Sequence, residues 1–302
     1  MRPRVAGIWI LRGLCLLLPL SLTSVGATSS SSAALFAELW QTVNDQFFDP
    51  KLNGVDWHMA RERYAPLAEH AQSPEEFATV VNQMLSELHT SHTHYYTPQT
   101  AEYFQLAGIF WSVLEPKLKP FLPNGRPDYC GIGALTVTRG EHTFISGILN
   151  GSPAAAAGLK TGDEILTVGG KRFHPINSFA ASAEQRVEMQ IRRTQDGTPE
   201  VVFVTPKLLD PTTMFLDAMK ASVEIVTRPD VKLGYVHIWS YAGEVYQDQL
   251  EEELDGRLHD TDGLVVDLRD GWGGASPAYL RPFLMPPMTT EWAMRDGKRM
   301  RH

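Results

Sequence analysis

The sequence has little cysteine, no long apolar run and a deficit of basic residues. Its two cysteines are Cys15 and Cys130, and only Cys130 remains if the first residues are removed, so an internal disulfide is excluded. Acidic residues outnumber basic ones by 35 to 27, a net charge of -8, which disfavours binding to nucleic acid or to anionic lipid. The apolar run at Leu14–Leu20 is too short to cross a bilayer, and no later segment is more apolar.

Residues 1–27 have the pattern of a secretory signal peptide. Arg2, Arg4 and Arg12 flank the apolar run, and Val25–Ala27 supplies the small residues of a cleavage site. We therefore expect an exported protein, in a bacterial periplasm or outside the cell, with no transmembrane segment after signal removal.

Residues 28–107 show helical periodicity and predict an N-terminal helical domain. Leu35, Leu39 and Val43 share one helix face. Ser73 is expected to cap a helix that has Pro74 in its first turn, and Asp56 a helix that runs through Arg63.

Residues 108–206 change to short β-type runs separated by glycines, which predict a β-rich domain. The expected strands are 134–137, 144–149, 165–168, 187–192 and 201–204, with a hairpin signal at Asp196-Gly197. Within them, residues 151–170 read GSPAAAAGLKTGDEILTVGG. A short alanine helix closed by Gly158 and a tight turn at Gly169-Gly170 are expected there.

This 20-residue stretch resembles the signature of a PDZ domain. The resemblance implies that Cys130–Gly133 is a loop whose amides hold a peptide carboxylate, and that a peptide adds as a strand beside residues 134–137. Gly131, Ile132, Gly133, Ala134 and Leu135 are the expected peptide-binding residues. The alternatives are a groove that no longer binds peptides, or one that is filled by an internal segment.

Residues 207–302 alternate strand, helix and strand. Runs 233–239 and 264–268 read as buried strands joined by a helix that carries Val245, Leu250, Leu254 and Leu258, so a parallel crossover is expected. A glycine loop at Gly273-Gly274, a helix over 276–284 and a hairpin around Asp296-Gly297 are expected to follow.

Several motifs occur in an order that resembles the carboxyl-terminal processing proteases and their tricorn-core relatives. They are Leu39-Trp40, FFDP at 47–50, GVDW at 54–57, LHTSHT at 88–93, LGYVHI at 233–238, GLVVDLR at 263–269 and Gly273-Gly274. The resemblance implies an α+β multidomain fold: a helical domain, a PDZ domain and an incomplete crotonase-like α/β core. It also implies a serine-type peptidase that acts near the carboxyl ends of peptides or unfolded proteins, without a cofactor.

In that family, the glycine pair after the Asp-Leu-Arg strand donates backbone amides to the oxyanion, which assigns this role to Gly273 and Gly274. The serine nucleophile and its lysine base lie later in the family pattern, and the 302 residues hold no matching positions. Ser276 has no adjacent base and is expected to cap a helix instead. The alternatives to a peptidase are an inactive peptide-binding protein and a non-functional truncated product.

Two further features have structural interpretations. His89, His92 and His94 are a weak candidate for a metal site, but they fall at a helix end, and no metal site is predicted. Asp267 and Arg269 are expected to pair with each other or to cap the glycine loop.

Overall fold

The computed structural model describes residues 15–17, 29–274, 276–284, 293–295 and 298–300. Residues 1–27, expected to be a signal peptide, lie outside the described residues except for strand β1 (Cys15–Leu17), which pairs in parallel with β2 (His94–Tyr96). The chain divides into two compact units: Met1–Tyr103 with Val113–Gly125 and Trp292–His302, and Phe104–Ser112 with Arg126–Glu291. The boundaries expected at 28, 108 and 207 remain predictions.

Five α-helices form the N-terminal part of the chain, and two of them begin where the sequence places caps. The α-helices are α1 (Ser29–Gln46), α2 (Trp57–Glu69), α3 (Pro74–Ser86), α4 (Ala101–Ile109) and α5 (Trp111–Leu118). The Asp56 side chain accepts a hydrogen bond from the Met59 amide, and the Ser73 side chain accepts one from the Glu76 amide. Both predicted caps are therefore confirmed, and α2 continues to Glu69, beyond the expected Arg63.

Helices α1, α2 and α3 share one apolar core. Its largest fully buried members include Phe36, Leu39, Met84 and Leu85, and each side chain of this size stabilises the fold by about 1.5–3 kcal/mol through burial. Short 3-10 turns at Leu52–Gly54, Lys119–Phe121 and Pro123–Gly125 link the elements of this part of the chain.

The second unit contains a five-stranded antiparallel sheet in the order β4-β5-β6-β7-β8. Its strands are β4 (Ala134–Arg139), β5 (His142–Ile148), β6 (Glu164–Val168), β7 (Val187–Arg192) and β8 (Glu200–Val204). All five correspond to strands predicted from the sequence, and the expected hairpin joins β7 to β8. Helix α6 (Pro153–Ala156) follows β5, and Gly158 closes it with a φ of 71°.

A short two-stranded ribbon forms where the chain enters and leaves this sheet region. Strand β3 (Tyr129–Gly131) pairs antiparallel with β9 (Lys207–Leu209). Beside it, Arg126 forms an ion pair with Asp210. The ribbon brings together two ends that are far apart in sequence, and no periodic pattern predicted it.

The second unit also holds a three-stranded sheet of β10 (Glu224–Arg228), β11 (Val231–His237) and β12 (Gly263–Asp267). Strands β11 and β12 are parallel and joined by α8 (Glu244–Asp255), as predicted, while β10 was not anticipated. Val236 and Ile238 pack on α7 (Met214–Ser222) and α8 through Met219 and Leu250.

The segment after the second glycine pair differs from the prediction. Residues 277–283 form a 3-10 helix, Pro277–Phe283, rather than a longer α-helix over 276–284. Pro282 lies inside it and lacks the amide that an α-helix needs. The predicted hairpin is present as β13 (Ala293–Arg295) paired antiparallel with β14 (Lys298–Met300), with its Asp296-Gly297 turn outside the described residues.

A pair of tryptophans locks α1 to α2, and its loss should destabilise the helical unit. The Trp40 indole donates to the Trp57 carbonyl at 2.8 Å, and the Trp57 indole donates to the Trp40 carbonyl at 3.2 Å. Because Trp40→Phe removes the indole donor to the Trp57 carbonyl and shrinks a side chain that is 3% exposed, we expect a loss of about 1–3 kcal/mol in the free energy of unfolding. Urea unfolding followed by circular dichroism measures it.

The control for this prediction is Phe48→Leu, since the Phe48 side chain is 61% exposed. It should change the unfolding free energy by no more than about 0.5 kcal/mol. An equal loss in both variants would contradict the role given to the tryptophan pair.

Candidate functional site

The loop at Cys130–Gly133 connects the β3–β9 ribbon to strand β4, the first edge of the five-stranded sheet. Gly131 is paired with Lys207 in the ribbon. The Ala154 amide donates to the Ile132 carbonyl at 2.8 Å, and the Leu149 amide donates to the Gly133 carbonyl at 2.9 Å. These two bonds fix the loop carbonyls against the interior of the unit.

Position 133 requires glycine for two reasons: its backbone conformation and the lack of space for a Cβ atom. Its φ is 71°, and a Cβ atom at this position would lie 2.4 Å from Cβ of Ser152. The Ser152 hydroxyl in turn accepts a hydrogen bond from the Ala155 amide and caps α6. The sequence assigned Gly133 to the loop, but not its close approach to Ser152.

Ile132 and Gly133 are buried residues, and within residues 29–274 their amides donate to no acceptor. Buried amides without a partner are rare in folded proteins. Strand β4 pairs with β5 on one side and with no other described strand on its outer edge. The expected peptide-binding residues 131–135 thus combine two unpaired amides with an open strand edge.

The Cys130 thiol, at the start of this loop, is buried. Burial raises its pKa, which keeps the thiol protonated, although a hydrogen bond from the Ser182 backbone acts in the opposite direction. This position suits packing rather than nucleophilic chemistry.

The second glycine pair lies on the loop that follows β12. Gly273 has a φ of 81°, and a Cβ atom there would lie 2.5 Å from Cβ of Ala242, whereas the space around Gly274 is open. Both glycines are exposed, and within the described part of the chain neither amide has a backbone acceptor. Both amides are accessible to a ligand atom.

Asp267 holds the start of this loop. Its carboxylate accepts hydrogen bonds from the Arg269 amide at 3.0 Å, from Nε of Arg269 at 2.9 Å and from the Tyr235 hydroxyl at 2.8 Å. The Arg269 guanidinium, together with the other donors, lowers the pKa of Asp267 well below its usual range. The predicted pairing of Asp267 with Arg269 is therefore confirmed.

The His237 ring and the backbones of Trp239 and Trp272 hold the rest of this loop. Nε2 of His237 lies 2.8 Å from the Arg269 carbonyl, and the His237 ring stacks on Trp239 at 3.7 Å between centroids. The Trp272 amide donates to the Trp239 carbonyl at 3.0 Å, and the Tyr241 amide donates to the Trp272 carbonyl at 3.1 Å. The loop is thus tied to β11 and to the residues that follow it.

Two contacts join this region to the five-stranded sheet within the same unit. Nε1 of Trp239 donates to the Asn150 side chain at 3.1 Å. A Cβ atom on Gly147 would lie 3.4 Å from the Asp270 carboxylate, so Asp270 closely approaches β5. Neither contact has a local sequence signal, and sequence reasoning missed both.

Two sequence hypotheses receive less support from the structure. The 3-10 helix is too short and begins too late to place a strong helix dipole at Gly273-Gly274, so the amides themselves must carry any anion binding. The Ser276 carbonyl accepts a hydrogen bond from the Tyr279 amide at 2.9 Å, as expected for the start of a helical turn. His89, His92 and His94 form no metal-binding cluster among the described residues.

Comparison with known proteins identifies two domains. Residues 31–86 match the model of the tricorn protease C1 domain, and residues 126–201 match the PDZ domain. The chain is 25% identical to a carboxyl-terminal-processing protease of Synechocystis sp. over 254 residues, covering 80% of this chain and 52% of the relative. It is 22% identical to carboxyl-terminal-processing peptidase 3, chloroplastic, of Arabidopsis thaliana, covering 80% of this chain and 46% of that protein.

One solved structure also aligns with the chain. The photosystem II D1 C-terminal processing protease aligns with a TM-score of 0.45 and 19% identity, covering 84% of this chain and 64% of that one. The chain spans about half the length of the two curated relatives named above. In the described residues, no helix is long and apolar enough to cross a membrane.

Gly133→Ala should be far more costly than Gly140→Ala, which is the matched control. Both glycines have a positive φ, 71° and 62°, but a Cβ atom on Gly140 meets nothing within 4 Å. The left-handed conformation costs alanine roughly 1–2 kcal/mol at either position. Only Gly133→Ala adds the collision with Ser152, so we expect a further loss of about 1–3 kcal/mol. Thermal unfolding of both variants measures the difference, and equal losses would contradict the close approach.

Asp267→Asn should destabilise the protein at pH 7 more than at pH 3. The folded pKa of Asp267 lies below the unfolded value of about 4. Its stabilising contribution is therefore fully present above pH 4 and is lost as the pH falls through the folded pKa. Because the variant has no carboxylate, the gap in unfolding free energy between wild type and variant should narrow on acidification.

Urea titrations at the two pH values measure this gap. Asp196→Asn, in the exposed β7–β8 turn, is the control and should show almost no gap at either pH. A gap for Asp267→Asn that is constant between pH 7 and pH 3 would contradict the assigned ionisation.

Proposed function

We propose that the chain is an exported serine-type peptidase of the carboxyl-terminal processing family, to whose members it is similar. In this proposal, its PDZ domain captures the carboxyl end of a peptide or unfolded protein before cleavage near that end. This function has two parts within the 302 residues: the recognition part is the loop proposed to bind the peptide end, and the oxyanion part is the glycine pair proposed to stabilise the oxyanion.

The observation that carries the recognition part is the pair of buried, unpartnered amides at Ile132 and Gly133. A carboxylate accepts hydrogen bonds strongly from backbone amides arranged in this way. The open edge of β4 lies directly after them, where Ala134 and Leu135 are half-buried. A peptide whose terminal carboxylate sits on the loop therefore has a strand beside which its backbone can pair.

The oxyanion part rests on Gly273 and Gly274. Their exposed amides lie on a loop held by Asp267 and by the backbone of Trp272, so they are positioned before a substrate arrives. A single preorganised donor of this kind lowers a barrier by roughly 3 kcal/mol when water is excluded from the site.

The 302 residues themselves favour binding over hydrolysis. In the sequence, the serine nearest to the glycine pair is Ser276, and no lysine occurs within ten residues of it. A serine nucleophile needs an adjacent base. Peptide binding without cleavage is accordingly the second candidate function, for the 302-residue polypeptide taken by itself.

Peptides with free and amidated carboxyl ends test the recognition part. We expect the free form to bind the 302-residue protein at least about tenfold more tightly, because amidation removes the charge that the Ile132 and Gly133 amides recognise. Isothermal titration calorimetry measures both affinities. Gly140→Ala is the control variant and should bind both peptides as the wild type does, since Gly140 lies at the far end of β4.

The same samples test hydrolysis. Mass spectrometry after prolonged incubation should show intact peptide, and a serine-reactive fluorophosphonate should leave the protein unlabelled. Equal affinity for the two peptides would contradict the carboxylate loop, whereas cleavage or labelling would contradict the binding-only candidate.

A further inference from the structure

An open pocket of about 220 Å³ lies beside the short helix α6 of the PDZ region. One wall comes from α6 and the residue before it: Ser152, Pro153 and Ala156. The other wall comes from β8, β9 and the segment between them: Phe203, Thr205 and Lys207. This volume suits a single side chain or a short organic acid rather than a large cofactor.

Two cations that have no carboxylate partner in the described part of the chain lie near this pocket: Lys207 lines it, whereas Arg186 contacts the ring of the lining residue Phe203. Among the described residues, no carboxylate oxygen lies within 4.0 Å of the Lys207 ammonium or of the Arg186 guanidinium, although Arg186 is close in sequence to Glu184 and Glu188. The Arg186 guanidinium carbon lies 3.9 Å from the centroid of the Phe203 ring. In a protein of net charge -8, a pocket-lining lysine without a carboxylate partner favours an anionic ligand.

The walls of the pocket add apolar surface beside the charge. Phe203 is 44% exposed, and Pro153 and Ala156 face the same space. A ligand with a carboxylate at one end and a short apolar stem would satisfy Lys207 and cover Phe203 together.

We propose that this pocket is a second binding site, specific for a carboxylate on a short apolar stem. The ligand is either a free short-chain organic acid or the side chain of an acidic residue. The site is separate from the β4 edge, yet it shares backbone with the peptide-binding loop. Lys207 is paired with Gly131, and Ser152 lies against Gly133.

Butyrate and its neutral analogue butyramide test the proposal on the full 302-residue protein by two-dimensional amide NMR. We expect saturable shifts of the Ser152, Ala156, Thr205 and Lys207 amides with butyrate. A dissociation constant of about 1–10 mM is reasonable for a ligand of six heavy atoms. Butyramide should bind at least about tenfold more weakly, since it lacks the charge.

Lys207→Gln should weaken butyrate binding about tenfold, because it removes the cation and leaves a polar, slightly shorter side chain. Lys171→Gln is the control: Lys171 is exposed in the same region and does not line the pocket. N-acetyl-glutamate N-methylamide provides the acidic side chain with both ends blocked. Tighter binding of this compound than of butyrate identifies the side-chain source, and the reverse identifies a free acid.

Three results would overturn the proposal. They are shifts that do not saturate with butyrate, shifts scattered outside the pocket, and equal butyrate affinity in Lys207→Gln and wild type. The peptide experiment on the β4 edge is independent, because amidation of a peptide end does not affect butyrate binding. A failure at one site is therefore distinguishable from a failure at the other.

Discussion

The course of the chain after β12 depends on one buried carboxylate. Asp267 is the last residue of β12, which pairs in parallel with β11. Its carboxylate therefore needs hydrogen-bond donors other than those of the strand pairing. Burying a carboxylate is unfavourable unless hydrogen bonds replace its water. The donors come from Tyr235 on the neighbouring strand and from both the amide and the guanidinium of Arg269. The first turn of the glycine loop is therefore determined by the need to satisfy Asp267.

The ion pair contributes to this arrangement mainly through geometry. The Arg269 side chain is 81% exposed, so solvent screens its charge and a simple Coulomb estimate would exaggerate its effect. Its planar guanidinium, however, fixes the orientation of the carboxylate with two donor nitrogens. That orientation leads the backbone toward Trp272 and Gly273.

The sequence predicted the elements with local signals and failed where contacts are distant. Helix caps at Asp56 and Ser73, the strand at 187–192 and the β11–α8–β12 crossover all have a short periodic or capping pattern. The β3–β9 ribbon joins three residues to three others across a whole domain, and so short a pairing leaves no periodicity to read. The contact of Trp239 with Asn150 is equally invisible, because it depends on how two sheets meet within the unit.

The sequence indicated which glycines matter, but not the physical reason why each position requires glycine. The resemblance to a known family drew attention to Gly133 and Gly273, and both have a positive φ. The structure adds a steric reason at each: the side chain of Ser152 in one case and Ala242 in the other. Gly274 has neither constraint, which separates it physically from its neighbour although the sequence presents them as a pair.

The two amide sites also differ in what a ligand must do to bind. Ile132 and Gly133 are buried, so their unpaired amides already carry a desolvation cost of roughly 1–3 kcal/mol each, which a carboxylate relieves on arrival. Gly273 and Gly274 are exposed, and water satisfies their amides until something excludes it. In the proposed function, a carboxylate that reaches the loop at 131–133 therefore meets amides that lack another acceptor. The amides at 273–274 would gain electrostatic strength when a bound substrate covers them, so the two loops make different demands on a ligand.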